Sequence, residues 1–307
     1  MSLEGVTIAC IGLGRMGAGI AKNIQASGCR LVVYNRTPDK MQPFVQAGAK
    51  AACSAREAAS SAQFVVTSLM DDQSVLDTLL GEDGLLLGLD RGAIHIGTST
   101  ISPSASARIA QLHSQSGSCY LAAPVAGRPD AAAAGRLFTF VGGDSQIIER
   151  ARPVLKTYTQ KIIELGEDPA SAASMKLIVN FFAVSVLETI GQAFALAEKQ
   201  GVLEPIAALL KASLPAMSEY VDRIASRNYE NAGFTLDGGL KDVKLMLEAA
   251  GEVRVPLPFA SVIRDKCLAA QARGLSQGDW CAFTEIARLE AGLMPPTVSS
   301  SSPVSAS

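Results

Sequence analysis

The sequence holds only two histidines, and none of its six cysteines forms a CxxC pair. His95 and His113 have no ligand-like spacing to each other or to a cysteine, so no metal site is expected. The scattered thiols (Cys10, Cys29, Cys53, Cys119, Cys267 and Cys281) read as reduced, mostly buried side chains of a cytoplasmic protein, not as a disulfide framework. Excess charge of either sign is missing as well. A net charge of -2 argues against a general nucleic-acid binder. No basic start leads into an N-terminal apolar run, so no secretory signal is expected, and no internal repeat is visible. The longest apolar stretch, Ala172 to Lys199, carries Lys176, Asn180, Glu188, Thr189 and Gln192. These interrupt it before the ~20 apolar residues of a membrane span accumulate. It reads as a long helix buried between two domains or at a subunit interface.

What is present is alternation. A chain of 307 residues with 48% hydrophobic content predicts a globular protein of about two domains. Strand-like runs at 6–11, 29–34, 50–52, 64–69, 93–96, 119–123, 137–141 and 161–164 fill the first half. Helical patterns at 17–27, 38–47, 54–61, 72–80 and 103–116 separate the earlier ones, with Ser54 and Ser102-Pro103 as start signals. This predicts an α/β domain over 1–164 with a doubly wound, mainly parallel sheet. After Gly166 the signals turn helical: 172–199, 203–211, 215–226, 238–250, 256–273 and 279–290. They predict an all-α domain over 165–294, built on a long interdomain helix. The Pro/Ser-rich tail 295–307 is expected to be disordered.

The most informative local pattern opens the chain. The apolar run Val6–Ile11 leads into Gly12-Leu13-Gly14-Arg15-Met16-Gly17, and Ala18, Ile20, Ala21 and Ile24 then recur at helical spacing. Strand, glycine turn and helix start in this order are the fingerprint of a Rossmann dinucleotide-binding domain. Gly12 permits the turn, Gly14 admits a pyrophosphate close to the backbone, and Gly17 lets the helix pack on the strand. The helix N-terminus offers N–H groups to the phosphates. An NAD-binding domain carries an acid roughly 20 residues further on, which holds the ribose 2′-hydroxyl. Here that place holds Asn35-Arg36-Thr37. The missing carboxylate, and an arginine able to pair with a 2′-phosphate, favour NADP over NAD. The plainer alternative is that Arg36 is a solvated turn residue. Leu69 and Met70, ending the fourth strand, line the cofactor cleft or simply belong to the core.

Further on, Lys176 and Asn180 stand four apart in Ser174-Met175-Lys176-Leu177-Ile178-Val179-Asn180 and so share one helix face. A cation near a helix N-terminus is unfavourable, so propensity alone does not place Lys176 there. Ammonium and carboxamide together can orient and protonate a carbonyl oxygen. The alternative is an exposed first-turn charge.

These motifs, with Ala21 and Asn23 in the first helix, resemble the β-hydroxyacid dehydrogenase family over roughly residues 5–292. The nearest branch is that of the glyoxylate/succinic semialdehyde reductases. Ala123-Pro124-Val125-Ala126-Gly127, with Ala132 and Gly135, is similar to its substrate-binding motif. Lys176 and Asn180 fall on its catalytic lysine and asparagine, and Lys241-Asp242 on its late Lys-Asp motif. The resemblance implies contacts of Thr100 with nicotinamide or substrate, of Lys241 with the cofactor, and of Val125, Ala126, Gly127, Arg128, Phe234 and Asp242 with substrate. Thr100 also follows the fifth strand, at the end of a parallel sheet where ligands bind. An N-cap role there and packing for Phe234 are the plainer readings. The motif departs from the family where its Asp is Ala123, its Ser is Ala126 and its second Gly is Arg128. A hydroxyl donor for a substrate carboxylate is lost and a cation is gained.

The implied protein is a cytoplasmic NADPH-dependent oxidoreductase that reduces a small aldehyde or keto acid through a lysine general acid. It works as a homodimer or tetramer, without nucleic-acid, membrane or metal partners. The alternatives are an imine reductase or reductive aminase on the same scaffold, and a non-catalytic NADP-binding protein. Relatives of both kinds generally lack the lysine.

Overall fold

A computed structural model describes residues 2–293; the tail expected to be disordered lies outside the described residues. Strands and helices alternate through the first half. The order is β1 (Thr7–Ile11), α1 (Arg15–Ala26), β2 (Arg30–Tyr34), α2 (Gln42–Gln46), β3 (Lys50–Ala51), α3 (Ala55–Ala59), β4 (Phe64–Thr67), α4 (Asp72–Leu80), β5 (Ile94–Gly97), α5 (Pro103–Ser116) and β6 (Cys119–Ala122). Then come β7 (Val125–Ala126), α6 (Pro129–Ala133), β8 (Leu137–Val141), α7 (Ser145–Tyr158) and β9 (Thr159–Glu164). Helices follow: α8 (Pro169–Gln200), α9 (Leu203–Ser213), α10 (Ser218–Ser226), α11 (Leu236–Glu252), α12 (Pro258–Gln271) and α13 (Glu285–Glu290). The chain divides into two compact units. One runs up to Phe181 and includes Lys244–Pro256; the other holds Phe182–Val243 and the residues from Leu257 onward.

In the first unit β1 to β6 form one parallel sheet in the order β3-β2-β1-β4-β5-β6. Alternate residues of β1 supply its two faces. Ile8 and Cys10 join a core with Ile20 and Ile24 of α1 and Val154 of α7. Ala9 and Ile11 join the opposite core with Leu79 of α4 and Ile109 of α5. Both faces are covered, as a parallel sheet requires. The strand order reverses between β1 and β4, and ligands of open α/β sheets bind outside the strand ends at such a switch.

Two features depart from the sequence expectation. The later strands do not extend the parallel sheet. They form a second one, β7-β8-β9, with β7 antiparallel to β8. No helix is expected between 141 and 161, where α7 lies. Pro153 sits inside α7 and removes one backbone hydrogen bond. Asp144 caps the helix by accepting from the Gln146 and Ile147 amides at 2.8 and 3.1 Å. Ile148, Ala151, Val154, Leu155 and Tyr158 bury one face of it. That burial outweighs the proline.

Both histidines are interior. His95 Nδ1 lies 2.9 Å from His113 Nε2, and the chain continues to Thr67 Oγ1 on one side (2.8 Å) and Ser118 Oγ on the other (2.8 Å). Among the described residues, no three or more His, Cys, Asp or Glu side chains cluster to hold a metal ion.

In the second unit the fully buried Glu188 of α8 pairs with Lys266 of α12 and accepts from Gln192 Nε2 at 2.6 Å. Arg288 of α13 bridges Glu198 and Glu285 at 2.6 and 2.7 Å. By length and hydropathy, α8 could cross a membrane; it is the one such helix among the described residues. Its polar residues therefore do not exclude a span by interrupting it, as the sequence suggests. Glu188, within the helix, lies buried against the Lys266 cation of α12.

Candidate active site

Three neighbouring strand ends meet at the switch in strand order. Ile11 is in register with Tyr34 of β2 and Thr67 of β4. Gly12 N–H donates to Tyr34 O (3.0 Å) and Ser68 N–H to Ile11 O (2.9 Å), so the strand-end segments 12–13, 35–37 and 68–70 lie side by side. The three glycines of the turn have different surroundings. Gly12 has φ +90°, and a Cβ there would stand 2.3 Å from Ser68 O. At Gly17 a Cβ would lie 2.0 Å from Gly12 O, so α1 starts in contact with the turn itself. A Cβ on Gly14 would meet nothing within 4 Å. Gly14 is also the N-cap of α1 and makes no side-chain cap bond. The first N–H groups of a helix lack intrahelical partners, and here they border open space. That cradle fits a dinucleotide pyrophosphate.

Asn35 braces the turn. Its Oδ1 accepts from Leu13 N–H at 2.8 Å and its Nδ2 donates to Thr37 O at 3.0 Å. Arg15, Arg36 and Thr37 are exposed, and no carboxylate stands at the end of β2. Leu69 is half-buried with its N–H donating to Ser99 Oγ at 2.8 Å, while Met70 is exposed. Thr98 Oγ1 donates to Thr67 O at 2.8 Å. Thr98 and Ser99 thus tie the ends of β4 and β5 together beside Thr100. The sequence points to the segment Thr98-Ser99-Thr100 and takes Thr100 as the contact; it does not show that the other two hydroxyls bond the neighbouring strand end, because such a bond leaves no mark in local spacing.

Val125 and Ala126 form β7, with Gly127 and Arg128 following. Gly127 has φ +140°, and a Cβ there would lie 2.7 Å from Leu137 Cδ2. Arg128 is half-buried at the N-cap of α6.

Lys176 and Asn180 are both buried, and Lys176 Nζ donates to Asn180 Oδ1 at 2.9 Å. Here the sequence picture needs correction. The helix starts at Pro169, so Lys176 lies about two turns inside it and is neither a first-turn charge nor an N-terminal dipole problem. Ala172 joins the core on one face of the parallel sheet, and Met175 and Val179 pack on that core, as do Leu69 and Ala126. One core therefore anchors this stretch of α8 together with β7 and the loop after β4.

The remaining candidates belong to the second unit. Lys241 Nζ lies 2.6 Å from Asp242 Oδ1, and Asp242 is buried. Phe234 packs edge-on against Trp280, ring centroids 5.5 Å apart.

Comparison with known proteins decides the family. Residues 7–166 match a family described as the NAD binding domain of 6-phosphogluconate dehydrogenase. Residues 170–287 match one described as "NAD-binding of NADP-dependent 3-hydroxyisobutyrate dehydrogenase". The chain belongs to the β-hydroxyacid dehydrogenase family. It is 41% identical to the uncharacterized oxidoreductase YfjR of Bacillus subtilis (strain 168), over 90% of this chain and 98% of that protein. It is 30% identical to glyoxylate/succinic semialdehyde reductase 2, chloroplastic, of Arabidopsis thaliana, over 91% of this chain and 79% of the relative. A solved 3-hydroxyisobutyrate dehydrogenase of Salmonella typhimurium has the same fold, with a TM-score of 0.83 at 24% identity, covering 92% of this chain and 99% of the other. This β-hydroxyacid dehydrogenase is an NAD(P)-dependent oxidoreductase that acts on hydroxyl or carbonyl groups, with a Rossmann sheet and a helical C-terminal region.

Proposed function

We propose that this family member is a cytoplasmic NADPH-dependent reductase of a small aldehyde or keto acid, with Lys176 as its general acid. The buried Lys176–Asn180 pair carries the reading. NADPH, cradled at Gly12–Gly17, supplies the hydride. As ammonium, Lys176 hydrogen-bonds the substrate oxygen and gives its proton to the alkoxide as charge develops there. A positioned acid of this kind contributes about 10²–10⁴ in rate. Asn180 holds Nζ by accepting a hydrogen bond from it. In the oxidative direction neutral Lys176 takes the hydroxyl proton back. Thr100 and Val125–Arg128 bind the substrate in this reading, with Arg128 as the cation for a substrate carboxylate. Phe234, Lys241 and Asp242 are the remaining substrate and cofactor candidates in this reading.

Exposed Arg36 and the missing acid support NADP over NAD. Arg36→Asp should reverse the preference, measured as the ratio of Kd for NADPH and NADH; an unchanged ratio rejects it. The apolar residues Ile178, Phe182 and Leu196, each more than 60% exposed on α8, support assembly with further copies of the chain. The mechanism is tested by Lys176→Ala, which should lose about 10²-fold or more in kcat while still binding NADPH. Full turnover in that variant removes Lys176 from the chemistry.

A further inference from the structure

α1 carries a second site of attachment, about 12 Å along the helix from its N-terminus. The Asn23 side-chain amide donates to Ala132 O at 2.8 Å and to Gly19 O at 2.9 Å, with Ala133 O 3.3 Å away as a shared acceptor. Ala132 and Ala133 end α6, and the last carbonyls of a helix have no partner within it. A helix of five residues is too short to be stable alone. One turn earlier on α1, a Cβ on Gly19 would stand 2.8 Å from Ala133 N, so α6 lies directly on the backbone of α1. At the other end of α6, Arg128 occupies the N-cap position, next to Gly127, without a side-chain cap bond.

We propose that Asn23 is a positioning residue that fixes the Ala126–Gly127–Arg128 segment relative to the bound cofactor. It acts through α6 and rests on the reading of that segment as the substrate contact. One rigid helix then sets both reactants: its first turn cradles the dinucleotide, and its Gly19–Asn23 face carries the short helix on which the substrate segment is mounted. A displacement of 1 Å between reacting groups costs about 10²-fold in rate, which explains why a three-acceptor amide anchors so small an element. Asn23 touches neither reactant.

The test uses Asn23→Asp, which keeps the shape and removes both N–H donors, alongside Asn23→Ala, in the full-length enzyme saturated with NADPH. Hydrogen exchange of the Ala132, Ala134, Gly135 and Arg136 amides, which close α6 and its exit turn, should quicken about ten-fold or more in both variants. Amides of β1 and β5 should keep their protection. KM for the carbonyl substrate should rise about ten-fold or more, with Kd for NADPH within about two-fold of the wild type. A purely space-filling Asn23 would leave Asn23→Asp like the wild type, and that result overturns the proposal. So does cofactor affinity falling in step with KM, or faster exchange at unchanged KM. The exchange measurement needs no turnover. A wild type inert toward every carbonyl defeats the reductase reading by itself, distinguishably from any result for Asn23.

Discussion

Gly12, Gly14 and Gly17 are one motif in the sequence and three physical situations in the structure, and they predict different phenotypes. A methyl group at Gly17 collides with the Gly12 carbonyl. Gly17→Ala should therefore cost stability, by about 2 kcal/mol or more in urea denaturation. Gly14 has φ -71° and open space before it. Gly14→Ala should leave the unfolding midpoint unchanged and weaken NADPH binding, because the methyl occupies the room the pyrophosphate needs. Arg128 separates substrates in the same way. Arg128→Ala should raise KM for an aldehyde that carries a carboxylate by about ten-fold and leave a neutral aldehyde unaffected; equal effects on both would remove its charge from recognition. The chemistry of these residues is legible in the sequence, since turn glycines, a missing acid and an i, i+4 Lys–Asn pair are local patterns. The role of Asn23 is not legible, because its acceptors on α6 lie 109 and 110 residues away.

Among the elements, the strand carrying His95 and the helix carrying His113 share a buried imidazole pair, with His113 stacked on Tyr120 and His95 tilted against it. Burial pushes His113 down from its usual 6.5 to about 4. Burial, then the neighbouring His113, holds His95 well below the usual value. The folded state thus prefers neutral rings, whereas the unfolded chain takes up protons near pH 6.5. The stabilisation is fully present above about pH 6.5 and is lost as the pH falls toward 4. His113 alone accounts for about 3 kcal/mol of it. Urea midpoints measured from pH 7.5 to 4 should fall accordingly, and a flat profile would show that the pair is not buried as neutral rings. The Lys266–Glu188 pair makes an independent prediction. Lys266→Met leaves a carboxylate uncompensated inside the second unit and should cost about 3–5 kcal/mol, with Glu188→Gln added to it recovering part of the loss. The elements themselves were legible where period and caps agree, as in β1, α1, β5 and α5. They were not where a tertiary contact overrides a local signal: Pro153 hides α7, and the two-residue β7 exists through its pairing with β8.

For the whole molecule, alternating strands and helices followed by helices alone foretell an α/β sheet with a helical region after it. They say nothing of the second small sheet, and they set the domain boundary at 164/165, whereas the two compact units part inside α8. The candidate residues fall in both units: the glycine turn, Lys176 and Asn180 belong to one, Lys241 and Asp242 to the other. The assembly reading belongs to this scale. Sedimentation should give two or four times the 31.9 kDa of the chain, and Phe182→Glu should shift it toward one. Carbonyl reduction by NADPH is read from the steady-state loss of reduced-nicotinamide absorbance over a panel of small semialdehydes, 2-keto acids and cyclic imines. The prediction is turnover of a carboxylate-bearing aldehyde or keto acid, with NADPH preferred to NADH. Turnover of imines alone, or tight NADPH binding with no turnover of any carbonyl, would contradict it.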